Sequence, residues 1–348
     1  VGDSRSEQSV LTRTANRTGV ISLNRPAALN ALDTSMIQAI NVALDSWMHD
    51  TSVSRVVIRS TSPKAFCAGG DIRAIRDAVL TGQHDAAHEF FRLEYDLNER
   101  IATFPKPIIA LIDGAAMGGG LGVSVHGSLR VVTENAVCAM PETAIGFFPD
   151  IGASYFLPRL GLNGTGSVAL GKYLGMTGAR LDAADAVTCG LATHFVRSER
   201  LADLLAALED EGEADAAAII ESFASDPGPS ALASHMETIE ECFSAGTVTE
   251  MEDCLANGRS EWHAQVLATL RKASPRSVCI TMRLIERGAV STLRECLDRE
   301  LALTAPVTRH PDFAEGIRAV LVDKDRNPQW ADAALADVDP VHIDALLL

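Results

Sequence analysis

The sequence predicts an α/β fold with helices layered on sheets, followed by a mainly α-helical C-terminal region. Three observations predict it. Short runs rich in β-branched residues alternate with amphipathic stretches through the first half of the chain. Glycine-rich turns follow two of those runs. From about Asn163 onward the strand patterns disappear, and Ala, Leu, Asp and Glu dominate a series of helical periodicities.

Val20 to Leu23 is a short strand broken by Asn24-Arg25-Pro26, after which Asp33 caps an apolar-periodic helix running through Trp47. Arg55 to Arg59 is a second strand, ending in Ser60 to Pro63 and the turn Ala68-Gly69-Gly70. Ala86 to Phe104 reads as a helix, and Lys106-Pro107 leads into the buried strand Ile108 to Ile112. Gly114 to Gly120 is a second glycine loop, with a helix expected over Leu121 to Leu129. Arg130 to Thr133 and Val137 to Met140 are further short strands. In the second half, Leu293, Leu297 and Leu301 recur on one helical face. At about 150 residues per domain, 348 residues make roughly two domains. A core over residues 10–200 and a helical region over 201–348 are expected, with a soft boundary.

Apolar residues make up 47% and charged residues 22% of the chain, which excludes a disordered or collagen-like protein. Thirty Lys and Arg against 46 Asp and Glu leave a net charge of −16, so a nucleic-acid backbone or an anionic membrane would meet net repulsion. Neither is an expected partner. The acidic run Glu209 to Asp215 reads as solvated surface. Seven scattered cysteines with no C-x-x-C pair argue against a disulfide framework or a zinc site and fit a reducing cytosol or an organelle matrix. No aliphatic run approaches the roughly 20 residues that span a bilayer. The chain begins Val1-Gly2-Asp3-Ser4 without a signal-peptide run, so any targeting piece is expected to have been removed or never present.

Chemistry concentrates in four segments. Lys64-Ala65-Phe66-Cys67-Ala68-Gly69-Gly70-Asp71-Ile72 places paired glycines directly after a strand, where backbone N–H groups are open to a ligand. Asp113-Gly114-Ala115-Ala116-Met117-Gly118-Gly119-Gly120-Leu121-Gly122 does the same and opens a helix. Either loop alone is ordinarily just a tight turn. If both follow strands of one sheet, they can bring one N–H apiece onto a single carbonyl oxygen and form an oxyanion hole. The second loop is not a dinucleotide fingerprint, because Val123 stands where the third glycine belongs. Gly166 to Lys172 imitates a P-loop, but Tyr173 replaces the magnesium-binding Ser or Thr and no strand precedes it.

The third segment, Ala139 to Gly152, carries Glu142 and Asp150 in apolar surroundings, where a raised pKa suits acid, base or nucleophilic work. The plainer alternatives are a first-turn carboxylate for Glu142 and a helix N-cap for Asp150. The fourth candidate is Glu94, which shares a helical stripe with Phe90, Leu97 and Ile101 and is either functional or a hydrogen-bonded core residue. His126 has no metal-spaced partner, and Cys67 has no neighbouring base to lower its pKa, so both read as packing or support.

Together these segments resemble the crotonase (enoyl-CoA hydratase/isomerase) superfamily, and within it most closely the branch of 3-hydroxyisobutyryl-CoA hydrolases. The resemblance rests on AFCAGGDIRAI, GAAMGGGLGVSVHG, AMPETAIGFFPDIGASYFLPRL and HPDFAEGIRAVLVDKDRNPQW and runs from about Val20 to Trp330. It implies a crotonase-like spiral of ββα units with a C-terminal α-helical region, and an acyl-CoA thioester as substrate. Gly70 and Gly119 would supply the oxyanion-hole amides, Glu94, Glu142 and Asp150 would line the acyl pocket, and Ala65, Ala68 and Asp71 would receive the adenine end of CoA. Glu142 and Asp150 would be catalytic. Hydratases of this superfamily carry a second glutamate two residues after the G-G-G, and that position here is Gly122. Thioester hydrolysis in valine breakdown is therefore the activity implied, with hydration or isomerisation of an enoyl-CoA as the alternative and an inactive acyl-CoA-binding protein behind it. No metal and no cofactor beyond the CoA of the substrate are implied. Superfamily members commonly assemble, so a homo-oligomer is possible, with monomer, dimer and larger forms all open.

Overall fold

A computed structural model describes residues 8–210 and 214–347. Two compact units interleave along the chain. The first comprises the residues up to Gly70 together with Leu93–Cys138 and Leu181–Ala231, and the second Asp71–Arg92, Ala139–Arg180 and the residues from Leu232 on.

The described residues form nine strands: β1 Val10–Ala15, β2 Thr18–Leu23, β3 Arg55–Ser60, β4 Ala65–Cys67, β5 Ile108–Ile112, β6 Ala115–Met117, β7 Leu129–Val132, β8 Val137–Ala139 and β9 His194–Phe195. They build a six-stranded sheet, β1-β2-β3-β5-β7-β9, and a three-stranded sheet, β4-β6-β8. From β3 to β9 the chain visits the two sheets in strict alternation, which is the spiral expected above. β1 pairs with β2 antiparallel, and every other pairing in the larger sheet is parallel. Parallel strands buried on both faces read as unbroken apolar runs, and Ile108–Ile112 is buried at every position.

One face of the larger sheet is closed by the helices Leu201–Glu209 and Ala216–Phe223. Leu204, Leu208 and Ile220 pack there against Val57, Ile109 and Val131. The Thr18 hydroxyl donates to the Leu208 carbonyl at 2.6 Å and fixes that helix on β2. Of the acidic run, Glu209 ends the first of these helices and pairs with Arg13, while residues 211–213 lie outside the described residues.

The structure corrects the sequence reading in places. β1 is an added edge strand whose middle positions are exposed, so no apolar alternation announces it. β9 is a two-residue strand within the half expected to hold none, and it is recruited by pairing with β7. The helix expected over Leu121 to Leu129 is instead the short turn of helix Gly119–Gly122. The Ser124 hydroxyl donates to the Gly120 carbonyl at 3.0 Å, where a longer helix would place the Ser124 N–H, which donates to the Leu121 carbonyl instead.

The second unit is mainly helical and is centred on aromatic packing. Phe147 stacks on Phe91 and Phe148, with ring centroids 5.3 and 4.3 Å apart, and tilts against Phe313. Lys172, the lysine of the P-loop imitation, is buried and held by Glu286 at 2.8 Å and the Ala245 carbonyl at 3.1 Å, so its charge is spent on structure. Cys242 and Cys254 form a disulfide, a correction to the expectation from scattered cysteines. Their spacing of twelve residues resembles no motif, and the helices that carry them bring them together.

Leu204 is fully buried at the centre of the sheet-covering helix. Leu204→Ala is expected to lower the unfolding free energy by about 2–5 kcal/mol, measured by urea denaturation.

Candidate active site

In the first unit, β4 and β6 are parallel neighbours, so the glycine loops that follow them leave the sheet at the same end. Ala65 opens β4 opposite Ala115. The first loop is pinned by its backbone, with Ala68 N–H donating to the Leu29 carbonyl at 3.0 Å and Leu32 N–H donating to the Gly69 carbonyl at 2.8 Å. The second loop ends in Gly119, the first residue of the helix Gly119–Gly122. A Cβ placed on Gly119 would lie 2.2 Å from Glu94 Oε1 and 3.1 Å from the Gly70 nitrogen. Three of the predicted residues therefore meet at one point. Only a residue without a side chain leaves room for a backbone amide and a carboxylate to approach each other there.

Glu94 is delivered by the helix His84–Thr103 and is 2% exposed, so the apolar stripe did turn it inward. Cys67 sits beside the loop with its thiol donating to the Asn30 carbonyl at 3.0 Å. Burial pushes that thiol up to about 12, which leaves it protonated and unreactive, as its surroundings in the sequence suggest.

In the second unit, Asp71 caps the helix Ile72–Leu80, its carboxylate accepting from Ala74 N–H at 3.5 Å. Glu142 begins the 3-10 helix Glu142–Ile145 directly after Pro141 and is buried. That turn is clamped. The Thr143 hydroxyl donates to the Met176 carbonyl at 3.0 Å, and Ser274 N–H donates to the Thr143 carbonyl at 3.0 Å. A Cβ on Gly146 would lie 2.2 Å from the Asp312 carbonyl oxygen, and one on Gly316 would lie 2.3 Å from the Ile145 carbonyl carbon. The paired glycines let the helix Pro311–Ile317 lie directly on the turn that carries Glu142. Asp312, itself buried, accepts from the Ser274 hydroxyl at 2.6 Å and from Ala331 N–H at 2.9 Å. The HPDFAEG segment thus builds the platform beneath Glu142.

Asp150 is 5% exposed and does not cap the following helix, whose N-cap is Gly152. Its backbone opens a tight turn in which Ala153 N–H donates to the Asp150 carbonyl at 2.9 Å. Glu300, on the helix Leu293–Thr308, holds that turn: Oε2 accepts from Gly152 N–H at 2.7 Å, and Oε1 from Ser154 N–H at 3.0 Å and the Ser154 hydroxyl at 2.6 Å. Burial pushes the Glu300 carboxyl up to about 8; the three donors oppose that rise and the Asp150 charge adds to it. The sequence reading missed Glu300 and Asp312. A signal for Glu300 existed, because it lies three residues after Leu297 on the buried face of its helix, the same pattern that singled out Glu94.

Gly119 and Gly120 should respond differently to a methyl group. At Gly119 the nearest atom is the end of a flexible side chain, whereas a Cβ on Gly120 would lie 2.2 Å from the Cys67 carbonyl oxygen in β4. Gly120→Ala is expected to destabilise by at least about 1–3 kcal/mol while Gly119→Ala costs clearly less, measured by thermal unfolding of the two variants side by side.

Comparison with known proteins bears on the family and the fold. Residues 18–347 match the family model described as enoyl-CoA hydratase/isomerase. The chain is 45% identical over 335 residues to the mitochondrial 3-hydroxyisobutyryl-CoA hydrolase of Xenopus laevis, covering 94% of this chain and 85% of that protein. It is 44% identical to that of Homo sapiens, over 95% of this chain and 86% of the relative. Among solved structures, an enoyl-CoA hydratase from Rhodobacter sphaeroides superposes with a TM-score of 0.90 at 39% identity, covering 98% of this chain and 97% of that one. A carnitinyl-CoA dehydratase from Mycobacterium thermoresistibile superposes at 0.91 and 32% identity, over 98% and 96% of the two chains. With its alternating two-sheet spiral, its paired glycine loops and a family match that runs nearly from end to end, the chain belongs to the enoyl-CoA hydratase/isomerase family.

Proposed function

We propose that this protein hydrolyses 3-hydroxyisobutyryl-CoA to 3-hydroxyisobutyrate and free CoA, a step of valine breakdown. The observation that carries the reaction class is the meeting of Gly70 N–H, Gly119 and the Glu94 carboxylate at one point. Two backbone amides there suit the oxygen of a thioester carbonyl as it gains negative charge. Hydrolysis rather than hydration is supported by Gly122, which offers no second carboxylate to pair with Glu142, and by the two vertebrate relatives named as hydrolases.

In this scheme Gly70 and Gly119 polarise the carbonyl, each donor lowering the barrier by about 3 to 4 kcal/mol. Glu142 either attacks the carbonyl carbon, forming a mixed anhydride as the C–S bond breaks, or removes a proton from the water that attacks it. Asp150 binds the 3-hydroxyl group or returns a proton to the departing thiolate. Glu94 holds the acyl end, and Ala65, Ala68 and Asp71 receive the adenine end of CoA. The reaction draws on no cofactor beyond the CoA of the substrate. Among the described residues no helix is long and apolar enough to cross a membrane, and the vertebrate relatives are named as mitochondrial. The cytoplasm or the mitochondrial matrix is the proposed site of action, and assembly of identical chains is compatible with it.

Glu142→Gln is nearly isosteric and should leave the fold intact while lowering kcat for thioester hydrolysis by about 100-fold or more. Incorporation of heavy oxygen from isotopically labelled water into the Glu142 carboxylate during turnover, read by peptide mass spectrometry, would identify the anhydride route. Wild-type turnover in the Gln variant would remove Glu142 from the chemistry altogether.

A further inference from the structure

The loop after Asp150 takes a backbone form that its sequence does not favour. Ile151 has φ 56° and Gly152 has φ 79°, so the two central residues of the Asp150–Ala153 turn are both left-handed, the arrangement of a type I′ turn. Glycine adopts this freely. For a β-branched residue it is strained, and such strain persists only where the surroundings over-determine it. Ile151 is fully buried, which removes its freedom to swing out.

The surroundings that fix the turn belong largely to one side chain. Glu300 is completely buried, and both of its carboxylate oxygens are committed to this loop, taking the Gly152 amide at 2.7 Å, the Ser154 amide at 3.0 Å and the Ser154 hydroxyl at 2.6 Å. A carboxylate oriented by three donors is a rigid clamp. It lies on the Leu293–Thr308 helix, more than a hundred residues from the loop in sequence, so this is a designed tertiary contact rather than local turn chemistry.

We propose that Glu300 is a positioning residue that holds the strained Asp150–Ala153 turn and thereby aims the Asp150 carboxylate. The inference rests on the role given to Asp150 above. Burial raises the Glu300 carboxyl, and the Gly152 and Ser154 donors oppose that rise because they favour the ionised, acceptor-only form that the clamp uses.

The test is a double-mutant cycle between Glu300→Gln and Asp150→Asn, read as kcat/KM for 3-hydroxyisobutyryl-CoA. In glutamine one carboxylate oxygen becomes an NH2 group facing N–H donors, so the clamp opens with little change in volume. Misplacing the Asp150 side chain by about 1 Å should cost roughly 100-fold in the otherwise wild-type enzyme. In the Asp150→Asn background, where there is no carboxylate left to aim, the same change should cost less than about threefold. An equal loss in both backgrounds would show a merely structural Glu300 and overturn the proposal, as would full activity of Glu300→Gln. Full activity of Asp150→Asn alone would instead overturn the role of Asp150, and with it the reason for the clamp. Should Glu300→Gln fail to fold, Ser154→Ala removes only the hydroxyl donor, and the same cycle should give a smaller but equally non-additive loss, about three- to tenfold.

Discussion

The parallel pairing of β4 with β6 is the constraint on which the candidate site depends. It sends two glycine loops off the same end of the small sheet and brings the Gly70 amide beside Gly119, where the helix His84–Thr103 adds the Glu94 carboxylate. An added Cβ at Gly119 would lie 2.2 Å from Glu94 Oε1 and 3.1 Å from the Gly70 nitrogen. The chain alternates between the two sheets from β3 to β9, and each visit to the large sheet adds a buried parallel strand. Local glycine chemistry alone does not create the convergence; adjacency of the two strands does.

In the second unit carboxylates are supported from below instead of being framed by glycine loops. Glu142 stands on a 3-10 turn pressed against the Pro311–Ile317 helix through Gly146 and Gly316, with buried Asp312 tying that helix to Ser274 and Ala331. Asp150 stands on a left-handed turn held by Glu300. Both supports come from helices more than a hundred residues later in the chain. In each case a distant residue holds the backbone of the turn, Ser274 N–H donating to the Thr143 carbonyl and Glu300 accepting from the Gly152 and Ser154 amides.

The α/β layering, the positions of β2, β3 and β5, the helix capped by Asp33 and the inward-facing Glu94 were legible in the sequence, because apolar periodicity and capping residues report directly on burial and chain direction. The glycine loops were legible as candidates, and their convergence awaited strand order. What escaped were features with no local signature. β1 is mostly exposed, β9 exists only by pairing with β7, and the Leu121 to Leu129 helix is cut short by glycine and serine chemistry. Cys242 and Cys254 pair because of how their helices pack. Glu300 carried a faint signal, an acidic residue on a buried helical stripe, and Asp312 carried one only through the HPDFAEG motif around it.

Relatives of this chain are named for two different reactions on CoA thioesters, water added across a double bond and water used to release the thiol. In the proposed scheme Glu142, assisted by Asp150 and with glycine at position 122 in place of a second glutamate, serves the second reaction. The most direct test follows thiol release from 3-hydroxyisobutyryl-CoA and loss of the conjugated thioester absorbance of crotonyl-CoA with one enzyme preparation. Rapid thiol release with negligible hydration is the predicted result. Rapid hydration with little thiol release would contradict the account and show that water adds to the double bond without a second glutamate at position 122.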